Sequence, residues 1–370
     1  MEAHNLEKVT ALRRKLHETA ELSMQETRTK QCLMDFLRQN TDLKIEDRGE
    51  WFYTYYHAGD DRPVVLFRAD FDAIAMDEGI DLPYASKTPG VSHKCGHDGH
   101  SAILSGLALE IAENGSPNNV IFLFQPGEET GEGAERCLRI FDEFRIDAAF
   151  ALHNMPGFPQ KTVVLRDDVL FCASKGIRMD FKGAASHASE PEAGRNPAFA
   201  IADIVGAIPR IFDRSKYRGL VLCTVVHFEL GERAFGISPG EGSLWLTCRG
   251  QYRDETDATI NELLTYARER AKTDGIEISI SEHEVFPETE NNPKMAMRVR
   301  EVCAELGRPA VTLEAPIRAS EDFGHFLRRA PGAMFLAGCG DMAPVHTKEY
   351  DFPDAIIEEC VELFAALSRR

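Results

Sequence analysis

The chain lacks any apolar stretch approaching the roughly 20 residues that a bilayer-crossing helix needs, and its opening segment, Met1 to Lys8, has no apolar signal core. Both absences argue against a membrane-spanning or secreted protein and make the cytoplasm the expected compartment. Positive charge is also scarce, with 42 Lys and Arg against 60 Asp and Glu and a formal net charge of −18. A field of that sign repels nucleic-acid backbones and anionic membrane surfaces, so neither is an expected partner. The nine cysteines follow no regular spacing and are odd in number, which fits free thiols in a reducing compartment better than a disulfide framework. No internal repeat or low-complexity tract occurs. A length of 370 residues exceeds one typical core, so two domains are expected.

Against these absences stands one dense octet, HKCGHDGH at 93–100. It follows a loop rich in turn formers (Pro83, Pro89, Gly90) and opens onto residues 101–111, whose apolar positions recur at helical spacing. Its donor atoms therefore cluster near a helix N-terminus. Thiolate and neutral imidazole suit a borderline-soft ion, and Gly96 lets the backbone bend so that Cys95 and His97 can converge on one centre. Taken alone, the same residues also suit a helix cap or a solvated face.

Further donors stand at the ends of apolar runs. VIFLF at 120–124 leads to Glu128 and Glu129, AAFAL at 148–152 to His153, and VVLF at 64–67 to Asp70 and Asp72. Continuous apolar runs alternating with helical patterns predict an α/β domain with a mostly parallel sheet covered by helices, and such sheets bind ligands beyond the carboxyl ends of their strands. Each residue has a plainer reading: the Glu pair as a solvated turn, His153 as a core histidine, the Asp pair as a strand terminus. The chemistry that would use them together is metal-assisted attack of water on an amide carbonyl, with a carboxylate carrying the proton to the leaving amine. Of two neighbouring Glu residues, one can hold metal and the other can act as the base.

The pattern changes in the middle of the chain. Residues 176–181 alternate like a half-exposed strand, 196–212 read as a helix, and 220–228 and 243–249 as strands. A helix at 257–271 and a strand at 276–280 complete a split βαββαβ arrangement, the α+β ferredoxin-like pattern. The expected organisation is thus a discontinuous domain of residues 1–173 plus 286–370, with an inserted domain at 174–285.

These pieces, taken together, resemble the dinuclear-metal amidohydrolases of the aminoacylase and glutamate-carboxypeptidase type, in the branch of auxin-conjugate hydrolases, hippurate hydrolases and acetyldiaminopimelate deacetylases. The resemblance is carried by LRRKLH at 12–17 with ELS at 21–23 and Glu26, RADFDA at 68–73, the octet, FQPGEE at 124–129 and ALH at 151–153. GAASHAS at 183–189, SEDF at 320–323, and VH at 345–346 leading into DF at 351–352 complete it.

The resemblance implies that Cys95, His97, Glu129, His153 and His346 hold two divalent ions, with Cys95 bridging, and that Glu128 is the general base and acid. Asp70 and Asp98 match supporting positions, while His187 and Arg249 are candidates to reach the substrate. It implies a zinc-peptidase-like catalytic domain and an inserted domain that acts as lid and homodimer contact. Zinc, manganese, nickel and cobalt all suit the donor set. The expected reaction is hydrolysis of the amide bond of a small N-acyl amino acid or peptide-like conjugate; a dipeptidase or carboxypeptidase with the same site, a non-catalytic binding or scaffold protein, and a Cys95 nucleophile are the alternatives. Four positions depart from the family pattern. Ala20 and Ala75 stand where Pro is common, Gly127 where Ala is common, and Gly236, in FGISP at 235–239, where the family usually carries an Asn that contacts substrate carboxylate.

Overall fold

The computed structural model describes residues 1–370 and divides into two compact units. The first comprises Met1–Leu170, Thr289–Pro316 and Glu321–Arg370, and the second Phe171–Glu288 with Ile317–Ser320. The expected insert boundaries at 174 and 285 lie just inside those of the second unit. Residues 317–320, expected in the first unit, belong to the second because Ile317 bridges Phe171 and its carbonyl accepts the Cys172 N–H.

Strands in chain order are β1 (Lys44–Asp47), β2 (Phe52–Tyr56), β3 (Val64–Asp70), β4 (Asn119–Gln125), β5 (Ala148–Met155) and β6 (Val163–Leu165). The second unit supplies β7 (Ala173–Lys182), β8 (Val221–Leu230), β9 (Glu241–Gly250) and β10 (Glu277–Phe286). The chain then returns with β11 (Ala310–Thr312) and β12 (Gly332–Gly338). The longer helices are α1 (Ala3–Glu18), α2 (Thr27–Asn40), α3 (His97–Asn114), α4 (Ala198–Ile211), α5 (Arg253–Thr273), α6 (Pro293–Glu305) and α7 (Ile357–Ser368).

The first unit is built on an eight-stranded sheet in the order β1-β2-β4-β3-β5-β12-β6-β11. Its centre, β4-β3-β5-β12, is parallel throughout. The apolar runs become these strands because both of their faces are covered, as parallel sheets require. Phe67, Phe122, Phe150 and Phe335 share one core with α1, α2, α3, α6 and α7, and Leu66, Ile121, Ala149 and Met334 on the opposite face are equally buried. At the carboxyl end β3 stops at Asp70, β4 feeds the turn carrying Glu128 and Glu129, and β5 holds His153 inside the strand.

In the second unit the order is β8-β9-β7-β10, antiparallel throughout. Alternate residues of its strands, among them Ile177, Met179, Leu244 and Leu246, form one core with the apolar faces of α4 and α5. This is the expected ferredoxin-like arrangement, with both helices on one face. No helix in the protein is long and apolar enough to cross a membrane.

Candidate metal centre

The octet is where the local backbone does most to build a site. Gly96 caps α3 at φ 98°, a left-handed conformation that glycine adopts without penalty. A side chain there would also run into Asn154 and Tyr350. The helix consequently begins at His97, earlier than the apolar periodicity from 101 indicates, and the turn at Gly96 brings the residues on either side of it toward one centre. A second glycine, Gly127 at φ 58°, turns the β4 terminus beneath the Met24 side chain. Its N–H donates to Glu26 at 2.8 Å, so the loop before α2 fixes the pair that follows.

Metal-binding atoms of Cys95, His97 and His153 lie within 4.8 Å of one another, as do those of Cys95, Glu129 and His346, and of His97, Glu128 and Glu129. The Cys95 thiol is shared by the first two groups. Its sulfur is 3.3 Å from His153 Nε2, and His346 Nε2 is 3.3 Å from Glu129 Oε1. All five ligand candidates are therefore brought together, although they come from four separate stretches of chain. His346 reaches the group from a left-handed turn (φ 59°) whose N–H donates to the Lys94 carbonyl at 2.7 Å.

The donors are also oriented. His97 Nδ1 is 2.9 Å from Asp72 Oδ1, and His153 Nδ1 is 2.7 Å from the Asn154 carbonyl. Each contact places the proton on Nδ1 and leaves Nε2 with its lone pair toward the group. Buried His97 Nε2 has no hydrogen-bond partner, and buried Glu129 Oε1 has none beyond its 3.3 Å approach to His346. Unmet polar atoms of that kind are costly, and a cation among them satisfies both. Burial and Glu129 push the Cys95 thiol up to about 11, so a nearby cation is what would hold it as thiolate. Donor chemistry, convergence and orphaned atoms thus fit divalent metal.

Glu128 stands beside this group, with Oε2 3.9 Å from His97 Nε2. The Asp322 N–H donates to its Oε1 at 3.4 Å. Burial, then repulsion by Glu321, Glu129 and Asp322, holds its carboxyl well above the usual carboxylate range. The acids behind it are gathered by buried Arg68, which contacts Asp70 at 2.5 Å, Asp322 at 2.6 Å and Glu321 at 3.1 Å.

Of the two carboxylates with expected supporting positions, Asp70 stands with His97 and His100 in a further group whose possible ligand atoms lie within 4.8 Å of one another, and Asp98 lies apart from the donors. Asp70 accepts from Arg68 and is 2.6 Å from His100 Nδ1, and its Oδ1 stays 4.0 Å from His97. Asp98 faces α1, 2.8 Å from His17 Nδ1 and 3.1 Å from the Arg13 guanidinium. The residue that braces the group directly is Asp72, which accepts from the Glu129 N–H at 3.0 Å and from Ser23 at 2.7 Å besides holding His97. Asp72 had a sequence signal in its spacing from Asp70, and Arg68 had one in opening the RADFDA motif; Asn154 and Tyr350 had none. His187 and Arg249 lie in the second unit. His187 is exposed, with Nδ1 2.7 Å from Ser189 Oγ, and Arg249 donates to the Arg318 carbonyl and Ser320, both at 2.9 Å. Gly236 has open space around it, between exposed Phe235 and Ile237.

Candidate metal donors gathered at the carboxyl edge of a mostly parallel sheet suit a metal-dependent hydrolase. Residues 66–370 match the model of peptidase family M20/M25/M40, and the chain belongs to that family. An uncharacterized hydrolase of Staphylococcus aureus is 28% identical over 378 residues, covering 98% of each chain. Among solved structures, a proposed aminohydrolase from methicillin-resistant Staphylococcus aureus superposes with a TM-score of 0.91 at 22% identity, covering 98% of this chain and 96% of that one. A dinuclear metal binding peptidase of the same family from Bacillus subtilis gives a TM-score of 0.85 at 23% identity, covering 99% and 98%. These likenesses establish the fold over its whole length.

Proposed function

We propose that this family member hydrolyses the amide bond of a small N-acyl amino acid or peptide-like conjugate, using two divalent ions. The observation that carries the reading is the Cys95 thiol common to two donor groups, one with His97 and His153 and the other with Glu129 and His346. Ions held there would polarise the amide carbonyl and acidify a water molecule. The remaining work belongs to the chain. Glu128, buried beside the donors and held by the Asp322 N–H, takes a proton from water and returns it to the leaving amine. Asp72 keeps His97 in the tautomer that binds metal, and Arg68 holds Glu321 and Asp322 in place behind Glu128.

The test is Glu128→Gln assayed on metal-reconstituted protein against a mixed panel of N-acyl amino acids and dipeptides, with mass-spectrometric detection of products. Turnover is expected to fall about 10²- to 10⁴-fold while metal content stays that of the wild type. Normal turnover in the variant would remove Glu128 from this role. Wild-type cleavage confined to dipeptides would instead favour a dipeptidase with the same site.

A further inference from the structure

Away from the metal centre, the second unit brings two cysteines directly opposite each other. Cys223 on β8 and Cys248 on β9 are register partners in the antiparallel ladder, and their sulfurs are 3.6 Å apart. Both side chains lie on the face covered by α4 and α5, since Cys248 belongs to that core and Cys223 packs against it. Their exposure differs in a way that matters for chemistry. Cys248 is fully buried, whereas Cys223 is half-buried on β8, an edge strand of the sheet. One sulfur is thus within reach of a small reagent, and the other is within reach of the first sulfur alone.

We infer that Cys223 and Cys248 form a redox-active dithiol that closes to a disulfide by exchange with a small-molecule disulfide of the glutathione type. The Cys223 thiolate attacks one sulfur of glutathione disulfide, forming a mixed disulfide and releasing one glutathione thiolate. That thiolate is protonated by solvent, and the Cys248 sulfur then attacks the Cys223 sulfur and expels the second glutathione, whose sulfur takes the Cys248 proton as it leaves. The protein loses two electrons and two protons, and glutathione disulfide is reduced to two glutathiones. Directly opposed strand positions hold their Cβ atoms about 4.5–5.5 Å apart, slightly wider than the roughly 3.5–4.5 Å of a relaxed disulfide. The bond therefore forms with the strands drawn together and is readily reduced, as labile rather than structural disulfides are. Closure ties the base of the 223–248 hairpin, whose far arm pairs Ile237 and Ser238 with His187 and Ser186.

The full-length protein is equilibrated in glutathione buffers from reducing to oxidising, quenched in acid, alkylated, digested and mapped by mass spectrometry. In the oxidising buffers the wild type is expected to yield a cross-linked peptide pair containing Cys223 and Cys248, about 2 Da below the sum of the reduced peptides and reopened by dithiothreitol. In Cys248→Ala, Cys223 should instead stop at the glutathione mixed disulfide. The inference is overturned if both cysteines of the wild type are alkylated as free thiols in the most oxidising buffer. It is equally overturned if Cys223 carries glutathione to the same extent in wild type and Cys248→Ala with no cross-link, the behaviour of two independent thiols.

Discussion

Asp72 shows how a single side chain organises a site. Its carboxylate holds the His97 ring, the Glu129 N–H and the Ser23 hydroxyl at once, so it sets both the tautomer of one donor and the position of the backbone carrying another. Asp72→Asn keeps the shape and loses the charge that favours the Nδ1–H tautomer. Metal affinity is expected to fall about 10- to 100-fold, read by competition with a chromophoric chelator; unchanged affinity would show that His97 is oriented by its neighbours alone. Gly96 acts through the backbone. Gly96→Ala forces a non-glycine residue to φ 98° and drives its methyl group into Asn154 and Tyr350. A loss of more than about 2 kcal/mol in unfolding free energy is expected, measured by urea denaturation, and a loss below about 0.5 kcal/mol would mean that the turn relaxes freely. At this scale the sequence was most informative where residue type dictates chemistry. Cys95, His97, Glu128 and Glu129 were legible as candidates because thiol, imidazole and paired carboxylates recur at strand and helix ends within motifs that resemble one family, although each has a plainer use. The ranking of Asp70 against Asp72 was not, since two Asp residues two apart look equivalent until their partners are known.

Among the elements, α1 is the least expected. Its buried face combines Val9, Leu12 and Leu16 with Arg13 and His17, and the two charged residues grip the start of α3 through Asp98. His17 also contacts Glu78 at 2.9 Å. Burial alone would lower the pKa of His17, but the bonds to Asp98 and Glu78 outweigh it and hold it up at about 9, against an ordinary 6.5. The folded protein thus binds this proton more tightly than the unfolded chain. The stabilisation it provides is complete below pH 6.5 and disappears as the pH rises through about 9. Denaturant unfolding of wild type and His17→Gln should therefore give a stability difference that shrinks between pH 6.5 and 9.5; a constant difference would show that proton binding at His17 does not contribute. Apolar runs revealed β3, β4 and β5, but nothing marked α1 or this network, because a charged residue on a helix is solvated far more often than buried.

At the scale of the whole molecule, the ligand candidates stand on segments up to 251 residues apart in a chain of 370, from Cys95 to His346. Bound ions would cross-link them in the native state only, so mass action ties metal to stability. Adding zinc or manganese to chelator-stripped protein is expected to raise the thermal midpoint by several degrees, since about 2.7 kcal/mol accrues at a hundredfold excess over Kd. Cys95→Ala should lose most of that shift, and a full shift in the variant would place the ions elsewhere. The sequence by itself determined the class of both sheets, because that follows from local periodicity, and it offered the donors as candidates through the resemblance of its motifs to a family. Tertiary structure alone decided that Asp72 rather than Asp70 braces His97, that Arg68 gathers the acids behind Glu128, and that Cys223 faces Cys248. Each of those is a distance between residues far apart or interchangeable along the chain, and such distances exist only once the strands have taken their register and both cores have closed.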